Sequence, residues 1–221
     1  MIPAYNEESR IGRLLTSLSQ FPGRVIVVCD VNDRTADSVE TYAQGHPGLR
    51  VRCLRFSGRL GKGGGVREGL LASDTELVGF MDADSSTPLE EMWMLFGKLT
   101  EVDCAIGSRW VPGASVPVQQ DLLRRLESRI FNLIIRTLFG LPYRDTQCGA
   151  KVFRRSAVSA VLPDILSQGF EFDVELLWRL KIRGYSIGEY PIRWENRMDS
   201  RVKAGDILKM LAGLVTIRLR G

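Results

Sequence analysis

The feature that most constrains this chain is a regular alternation, over its first eighty residues, of short β-prone apolar runs with segments of helical period. Ile11, Leu14, Leu15 and Leu18 fall at i, i+3, i+4 and i+7, which is one face of a helix. A β-rich run over 25–29 follows Pro22-Gly23. A helical stretch near 35–44, a strand near 51–56, a helix from about 64 to 72 and a strand over 77–81 come next. This βαβα order implies an α/β fold, a mostly parallel sheet flanked by helices on both faces. In such sheets ligands bind at the carboxyl ends of the strands, so the residues just after each strand are where chemistry is sought.

The second half changes character. A strand near 104–107 leads to a loop with Pro112, Gly113 and Pro117, then to an apolar, Arg-rich segment over 122–139. At about 100° per residue Arg125, Arg129 and Arg136 share a narrow arc, while Leu122, Leu126, Ile130, Leu133 and Ile134 cover the opposite side. This is a basic amphipathic helix. Helices near 173–182 and 205–219, with a β-like stretch over 185–194 between them, complete the C-terminal part. At 221 residues the chain is expected to be one domain, 1–221. Only Met1 and Ile2 precede the polar run beginning at Pro3, where a strand of about five residues is expected. Either the first strand is cut short or the true start lies upstream.

Composition removes several classes. With 44 % hydrophobic and 25 % charged residues the chain is neither disordered nor fibrous. It has no run of about 18 uncharged apolar residues to span a bilayer. The opening Met-Ile-Pro-Ala-Tyr-Asn-Glu-Glu is not a secretory leader, so a cytoplasmic protein, soluble or peripheral on a membrane, is expected. Cys29, Cys53, Cys104 and Cys148 form no close pair in sequence, and His46 is the one histidine. A zinc site is thereby disfavoured, and any metal is expected on carboxylates. A net charge of +4 without aromatic and basic repeats argues against nucleic acid as a partner.

Against that background four groups of residues stand out. Phe80-Met81-Asp82-Ala83-Asp84 runs an apolar strand into two carboxylates one residue apart, a hard oxygen set suited to Mg²⁺ or Mn²⁺ carrying a diphosphate, although such a triplet also caps helices in ordinary loops. Gly58 to Gly65, with Lys62, lies between a strand and a helix and reads either as a phosphate cradle or as a plain turn. It matches neither the nucleotide-hydrolase loop nor the dinucleotide fingerprint. Arg109, Arg125, Arg129, Arg201 and Lys203 lie near apolar surface, which fits an acceptor with a phosphate head and a greasy tail, or else a solvated charged face. Asp173 and Glu175 are a general-base pair or simple N-terminal helix carboxylates. Cys148, with no histidine near it in sequence, reads as a small buried residue.

In order, the segments IPAYNEE, DVNDRTAD, LGKGGGVREGL, MDADSS, GSRW, DTQCGAKVFRR, FEFDVELL and WENRMDSRV resemble the inverting GT-A glycosyltransferases that charge polyprenyl phosphates. The resemblance covers essentially the whole chain. DTQCGAK, FDVELL and the W-E-N-x-x-x-S-R-V spacing are similar to the dolichyl-phosphate β-glucosyltransferase branch. It implies a nucleotide-sugar half over about 1–110 and an acceptor half over about 111–221. It also implies that Pro3, Tyr5 and Glu7 line the base and ribose, with Asp30 or Asp33 facing the base edge and Lys62 near the nucleotide. Asp82 and Asp84 would be the metal pair, Asp84 the direct ligand, with Arg109 near the phosphates. Arg125 or Arg129 would hold the acceptor phosphate, Arg201 and Lys203 would close over the diphosphate, and Asp173 and Glu175 would orient sugar or acceptor.

The reaction so implied is metal-dependent transfer of a hexose, glucose favoured, from UDP-glucose, or GDP-mannose, to a polyprenyl or dolichyl phosphate at the cytoplasmic membrane face. An acceptor phosphate with a second pKa near 6 is already anionic at neutral pH and needs no strong base, which accords with a site lacking histidine. The competing readings are a GT-A enzyme for a saccharide or glycerolipid acceptor and a non-catalytic nucleotide-sugar binding module. A pyrophosphorylase is expected to open on an Arg-containing glycine loop, which IPAYNEE is not.

Overall fold

The computed structural model describes residues 1–30, 34–116, 132–195 and 204–220, with 204–209 by backbone alone. Strands β1 (Ile2–Ala4), β2 (Arg24–Asp30) and β3 (Arg50–Phe56) form a parallel sheet in the order β1-β2-β3. They are joined through helices α1 (Ile11–Ser17) and α2 (Thr35–Gly45). Helix α3 (Gly61–Leu71) leads to β4 (Leu77–Phe80). That strand belongs to a second sheet with β5 (Cys104–Ser108), β6 (Lys151–Arg154) and β7 (Ile187–Pro191), ordered β4-β6-β5-β7. Here β6 runs antiparallel to both neighbours and β5 runs parallel to β7. Among the described residues Met1 joins the sheets: its N donates to Gly79 O at 2.6 Å and its O accepts from Met81 N at 3.1 Å.

The remaining helices are α4 (Leu89–Lys98), α5 (132–139), α6 (Arg155–Val161), α7 (Phe172–Ile182) and α8 (Ala204–Arg220). The two-residue alternation of strand side chains divides the interior into two cores. Cys104, Ile106 and Phe153 face Val66 and Leu70 of α3 and Leu176, Leu177 and Leu180 of α7. Ala105 and Val152 face Leu14, Leu15, Met92 and Leu95 of α1 and α4. Each fully buried Leu, Ile or Phe contributes roughly 1.5–3 kcal/mol relative to exposure. Helices therefore cover both faces, as the alternation of the first eighty residues predicts. Helix α4, strand β6 and helix α6 are elements that the sequence reading does not assign.

Two local expectations change. Helix α3 begins at Gly61, three residues ahead of the sequence estimate, and Gly63, Gly64 and Gly65 lie buried inside it. Of the basic amphipathic segment, only 132–139 falls within the described residues; Leu133, Ile134 and Arg136 are exposed there and Ile135 and Phe139 buried.

Candidate active site

The carboxyl ends of β2, β4 and β5 place Asp30, Asp82 and Arg109 along one edge of the sheets. Asp82 lies two residues past the end of β4, and Asp84 closes a tight turn in which its Oδ1 accepts from Ser86 N at 2.9 Å. Ser85 stands in the left-handed region, φ 59°. The two carboxylates are thus held by backbone geometry and not by a long flexible loop.

Three buried charges brace the pair from below. Lys62, in the first turn of α3, lies with Nζ 3.0 Å from Asp82 Oδ1 and 3.1 Å from Asp173 Oδ2. Lys151 of β6 is fully buried and donates to Asp173 Oδ1 at 2.5 Å and to Cys148 O at 2.6 Å. Burial opposes the charge on Lys62, but Asp173 and Asp82 outweigh it and hold the ammonium above the ordinary lysine range. Burial likewise opposes the Asp173 carboxylate, yet Lys151 and Lys62 hold its pKa below the ordinary carboxylate range. The Asp84 carboxyl moves the other way, pushed up by burial and by the neighbouring Asp82 charge.

Arg109 is fixed by a second buried carboxylate. Asp145 accepts from its Nε at 2.7 Å, from a terminal nitrogen at 2.9 Å and from its backbone N at 2.9 Å, a bidentate fork that sets the guanidinium plane. The guanidinium carbon lies over the Trp194 ring, 5.2 Å from the ring centroid. Asp145 is itself held by Glu189, whose Oε1 accepts from Asp145 N at 2.7 Å.

Residues carried by the resemblance fall as follows. Pro3 packs near α3, where a Cβ built on Gly65 would meet its Cβ at 3.2 Å. Tyr5 lies under the Arg59 guanidinium at 4.3 Å. Glu7 is buried and takes both its oxygens to Arg10. Asp30 accepts from Leu60 N at 2.9 Å, which joins the end of β2 to the start of α3. Lys62, Asp82 and Asp173 are brought together, with Asp84 two residues after Asp82. Glu175 goes elsewhere: fully buried, it accepts from Ser167 N at 2.9 Å, Ser167 Oγ at 2.5 Å and Arg179 Nε at 2.8 Å, holding the loop before α7. Asp33, Arg125, Arg129, Arg201 and Lys203 lie outside the described residues.

The glycine run packs against the loop before α7. Gly64 N donates to Gln168 O at 3.2 Å, so that amide is committed to the protein. A Cβ on Gly63 would stand 2.4 Å from Phe172 Cβ, and Gly61 has φ +72° with Gln168 O 2.5 Å from where its Cβ would be. The glycines let the loop before α7 approach α3 closely and so bring Asp173 to Lys62.

Residues whose roles the sequence does not show are Asp145, Gly149 and Lys151. All belong to DTQCGAK, and in each case the partner lies on another element. Gly149 packs directly beneath Asp82: a Cβ there would lie 1.9 Å from Asp82 Oδ2.

The charge balance bears on a cation. Lys62 and Lys151 are set against Asp82 and Asp173, Arg109 against Asp145, and Arg10 against Glu7. Among the described residues Asp84 forms no ion pair, and burial and then the neighbouring Asp82 charge push its carboxyl up. Among the described residues no group of three or more His, Cys, Asp and Glu is placed to hold a metal unaided. A pair of hard carboxylates with one uncompensated charge fits Mg²⁺ or Mn²⁺ that draws its remaining oxygens from a bound diphosphate and water.

Comparison with known proteins agrees with this geometry. Residues 1–162 match the model of Glycosyl transferase family 2. The chain is 32 % identical over 238 residues to a dolichyl-phosphate beta-glucosyltransferase of Trichomonas vaginalis, covering 99 % of this chain and 70 % of that protein. It is 30 % identical over 240 residues to the human dolichyl-phosphate beta-glucosyltransferase, covering 100 % of this chain and 74 % of that one. Among solved structures, glucosyl-3-phosphoglycerate synthase from Mycobacterium tuberculosis in complex with Mn²⁺, UDP-glucose and phosphoglyceric acid superimposes with a TM-score of 0.67. At 20 % identity, over 98 % of this chain and 78 % of that one, this likeness is one of fold.

Proposed function

Because the chain belongs to glycosyl transferase family 2 and has its GT-A fold, we propose that this glycosyltransferase moves glucose from UDP-glucose to a polyprenyl phosphate of the dolichyl type, with inversion at the anomeric carbon. The observation that carries this reading is the Asp82–Lys62–Asp173–Lys151 chain of charges, which holds the strand-end carboxylates at the ligand edge. The names of the relatives at 30–32 % identity supply the sugar and the acceptor class.

Asp84, with Asp82, would hold the Mg²⁺ or Mn²⁺. When bound, such a cation offsets the charge of the departing nucleoside diphosphate. The acceptor phosphate, with a second pKa near 6, is already an anionic nucleophile at neutral pH. One of its oxygens bonds to the anomeric carbon as the bond to the nucleoside diphosphate breaks, and no side chain has to remove a proton. His46, stacked on Tyr42 in α2, takes no part. Arg109, locked by Asp145, sets a fixed positive charge beside the diphosphate, so little reorganisation accompanies charge development. Pro3, Tyr5, Glu7 and Asp30 shape the nucleoside end. Asp173 positions Lys62 and, through it, Asp82, whereas Glu175 positions the loop before α7. Arg125, Arg129, Arg201 and Lys203 are assigned to the acceptor phosphate and diphosphate by the resemblance alone.

Peripheral contact with the cytoplasmic membrane face is the setting that suits a lipid acceptor. No helix among the described residues is long and apolar enough to cross a membrane. Leu133 and Ile134 of α5 and Val215 and Leu219 of α8 are exposed beside Arg136, Arg218 and Arg220. Greasy side chains among arginines suit an interface with anionic lipid. Charge reversal at Arg125 and Arg129 is expected to weaken use of the lipid acceptor more than donor binding, and equal loss of both would count against the assignment.

The test is incubation with Mg²⁺ or Mn²⁺, a short-chain polyprenyl phosphate, and UDP-glucose or GDP-mannose in parallel. A lipid-linked sugar formed from UDP-glucose and lost in Asp84→Ala is the expected result. A product from GDP-mannose alone would overturn the donor, and metal-dependent donor binding without product would move the acceptor to a saccharide or glycerolipid.

A further inference from the structure

Past β7 the chain continues between the segment that carries Arg109 and the turn that carries Asp84. Ile192 N donates to Ser108 O at 3.2 Å, at the end of β5, and Ser115 N donates to Ile192 O at 3.1 Å. Trp194 N donates to Ser115 O at 2.8 Å. Glu195 N then donates to Ser86 O at 2.8 Å, in the turn where Asp84 accepts from Ser86 N. Residues 192–195 are therefore pinned through backbone bonds on both sides. What this pinning delivers is one side chain. The Trp194 ring packs against the core on the α1 and α4 side of the sheet, and the Arg109 guanidinium carbon lies over its face, 5.2 Å from the ring centroid.

We propose that Trp194 is a positioning residue for the donor diphosphate and that it acts through Arg109. The inference rests on Arg109 serving the diphosphate, as in the function proposed above. The Asp145 fork takes Nε and one terminal nitrogen, which fixes the guanidinium plane and points the other terminal nitrogen away from Asp145. A carboxylate lying in that plane covers neither of its faces. Trp194 covers one, and the Arg109 side chain is left 18 % exposed. A guanidinium held flat and shielded from water on one face loses little freedom on meeting a phosphate, and its charge is less screened there. Indole is the side chain that attracts a cation to its face most strongly, whereas an aliphatic residue at 194 would fill space without that attraction. Since Glu195 N holds Ser86 O, the ring and the Asp84 turn also belong to one backbone network. Residues 192–195 thereby fix the place of Arg109 relative to the strand-end carboxylates.

The experiment measures binding of UDP and of uridine, each with Mn²⁺, by calorimetry. It compares the full chain with Trp194→Leu, Trp194→Phe, Arg109→Met and the double variant Trp194→Leu/Arg109→Met. Trp194→Leu is expected to weaken UDP about tenfold, or about 1.4 kcal/mol, which is the scale of a partly desolvated cation–π contact, and to leave uridine within about twofold. Trp194→Phe is expected to recover most of that loss. In the Arg109→Met background, Trp194→Leu is expected to cost less than about twofold, because ring and guanidinium act as one unit. A loss as large in that background as in the parent, or an equal loss for UDP and uridine, would overturn the proposal. If Trp194→Leu does not fold, the indole itself reports. The change in tryptophan fluorescence on adding UDP with Mn²⁺ is expected in the unmodified chain and in Trp93→Phe and is expected to vanish in Trp194→Phe; a change that persists there would overturn the role of Trp194. Unaltered UDP binding in Trp194→Leu would overturn that role alone, whereas an unmodified chain that does not bind UDP would overturn the donor assignment and this inference with it.

Discussion

Gly149→Ala isolates the support beneath the strand-end carboxylates. The added methyl would lie 1.9 Å from Asp82 Oδ2 and 2.2 Å from Asp82 Cγ, so the Asp82 carboxylate must move by an ångström or more. Asp82 side-chain atoms have somewhere to go, because the residue is half-exposed; the cost therefore falls on placement more than on folding. As Asp82 moves it leaves Lys62 Nζ, now 3.0 Å away, and with it the geometry that Asp82 shares with Asp84. A misplacement of about 1 Å at a reacting site costs about 100-fold in rate, or about 2.7 kcal/mol of transition-state stabilisation. The assay is kcat/KM for lipid-linked sugar formation, with urea unfolding alongside. Gly97→Ala is the matched control: no heavy atom lies within 4 Å of its built Cβ in α4, and alanine is expected to stabilise a helix interior by roughly 0.5–1 kcal/mol. The reasoning is refuted if Gly149→Ala keeps activity within about threefold, or loses activity only in proportion to lost folded protein.

The buried charges give further expectations. Lys151→Met leaves Asp173, 1 % exposed, with one cation instead of two, and is expected to cost about 3 kcal/mol or more at neutral pH in urea unfolding; a loss below about 1 kcal/mol would show that the pair is not what holds the site. Because Asp173 has its carboxyl pKa lowered on folding, the stability it contributes is complete above the unfolded value near 3.9 and is lost as pH falls through the lower folded value. The gap between Lys151→Met and the parent is thus expected to narrow in acid below about pH 4. Asp84, pushed up by burial and by Asp82, holds a proton to higher pH than an ordinary carboxylate, and a cation has to displace that proton, so at limiting Mg²⁺ the acid limb of turnover is expected to move down as Mg²⁺ is raised; a limb independent of Mg²⁺ would assign it to another group. Among the cysteines, Cys53 is half-buried with its thiol pKa lowered by its contact with Cys29, 3.7 Å away, whereas burial pushes Cys148 up to about 12. Alkylation at neutral pH followed by peptide mapping is expected to mark Cys53 first, and early labelling of Cys148 would contradict its burial.

What could be read from the sequence divides along a physical line. Helices α1 and α2 and strands β2 to β5 announce themselves because their burial is one-sided or continuous, and periodicity is a property of a segment by itself. Strand β6 is four residues long and has a lysine at its start, so no pattern marks it; Lys151 is tolerated there, fully buried, because Asp173 arrives from α7. That partnership spans separate elements and leaves no local trace. The same holds for the site. Asp82 and Asp84 are legible since two carboxylates after an apolar strand are local. Asp145, which fixes Arg109 from 36 residues away, is legible only as part of a motif whose reason is invisible.

The glycine run of α3 shows the limit most clearly. Composition offers two uses for consecutive glycines before a helix, backbone exposed to a phosphate or backbone exposed to another element, and both need the same absence of Cβ. The sequence cannot choose between them, since the deciding atoms, Gln168 O and the Phe172 side chain, lie a hundred residues downstream. In the structure Gly61 and Gly63 stand against Gln168 and Phe172, which is the second of these uses. Close approach of the loop before α7 delivers Asp173 to Lys62, and Lys62 in turn reaches Asp82. The charge at this edge is therefore set by a lysine shared between two carboxylates and flanked by the two glycines, Gly61 and Gly63, that let the loop before α7 come close. Bulk added at Gly63, where a Cβ would meet Phe172 at 2.4 Å, is accordingly expected to separate α3 from α7 and to release Lys62 from Asp173 while leaving Asp82 and Asp84 in sequence and in place. Loss of turnover in Gly63→Ala with both carboxylates intact would place the origin of the site's electrostatics in this helix contact, and unchanged turnover would return it to the carboxylates alone.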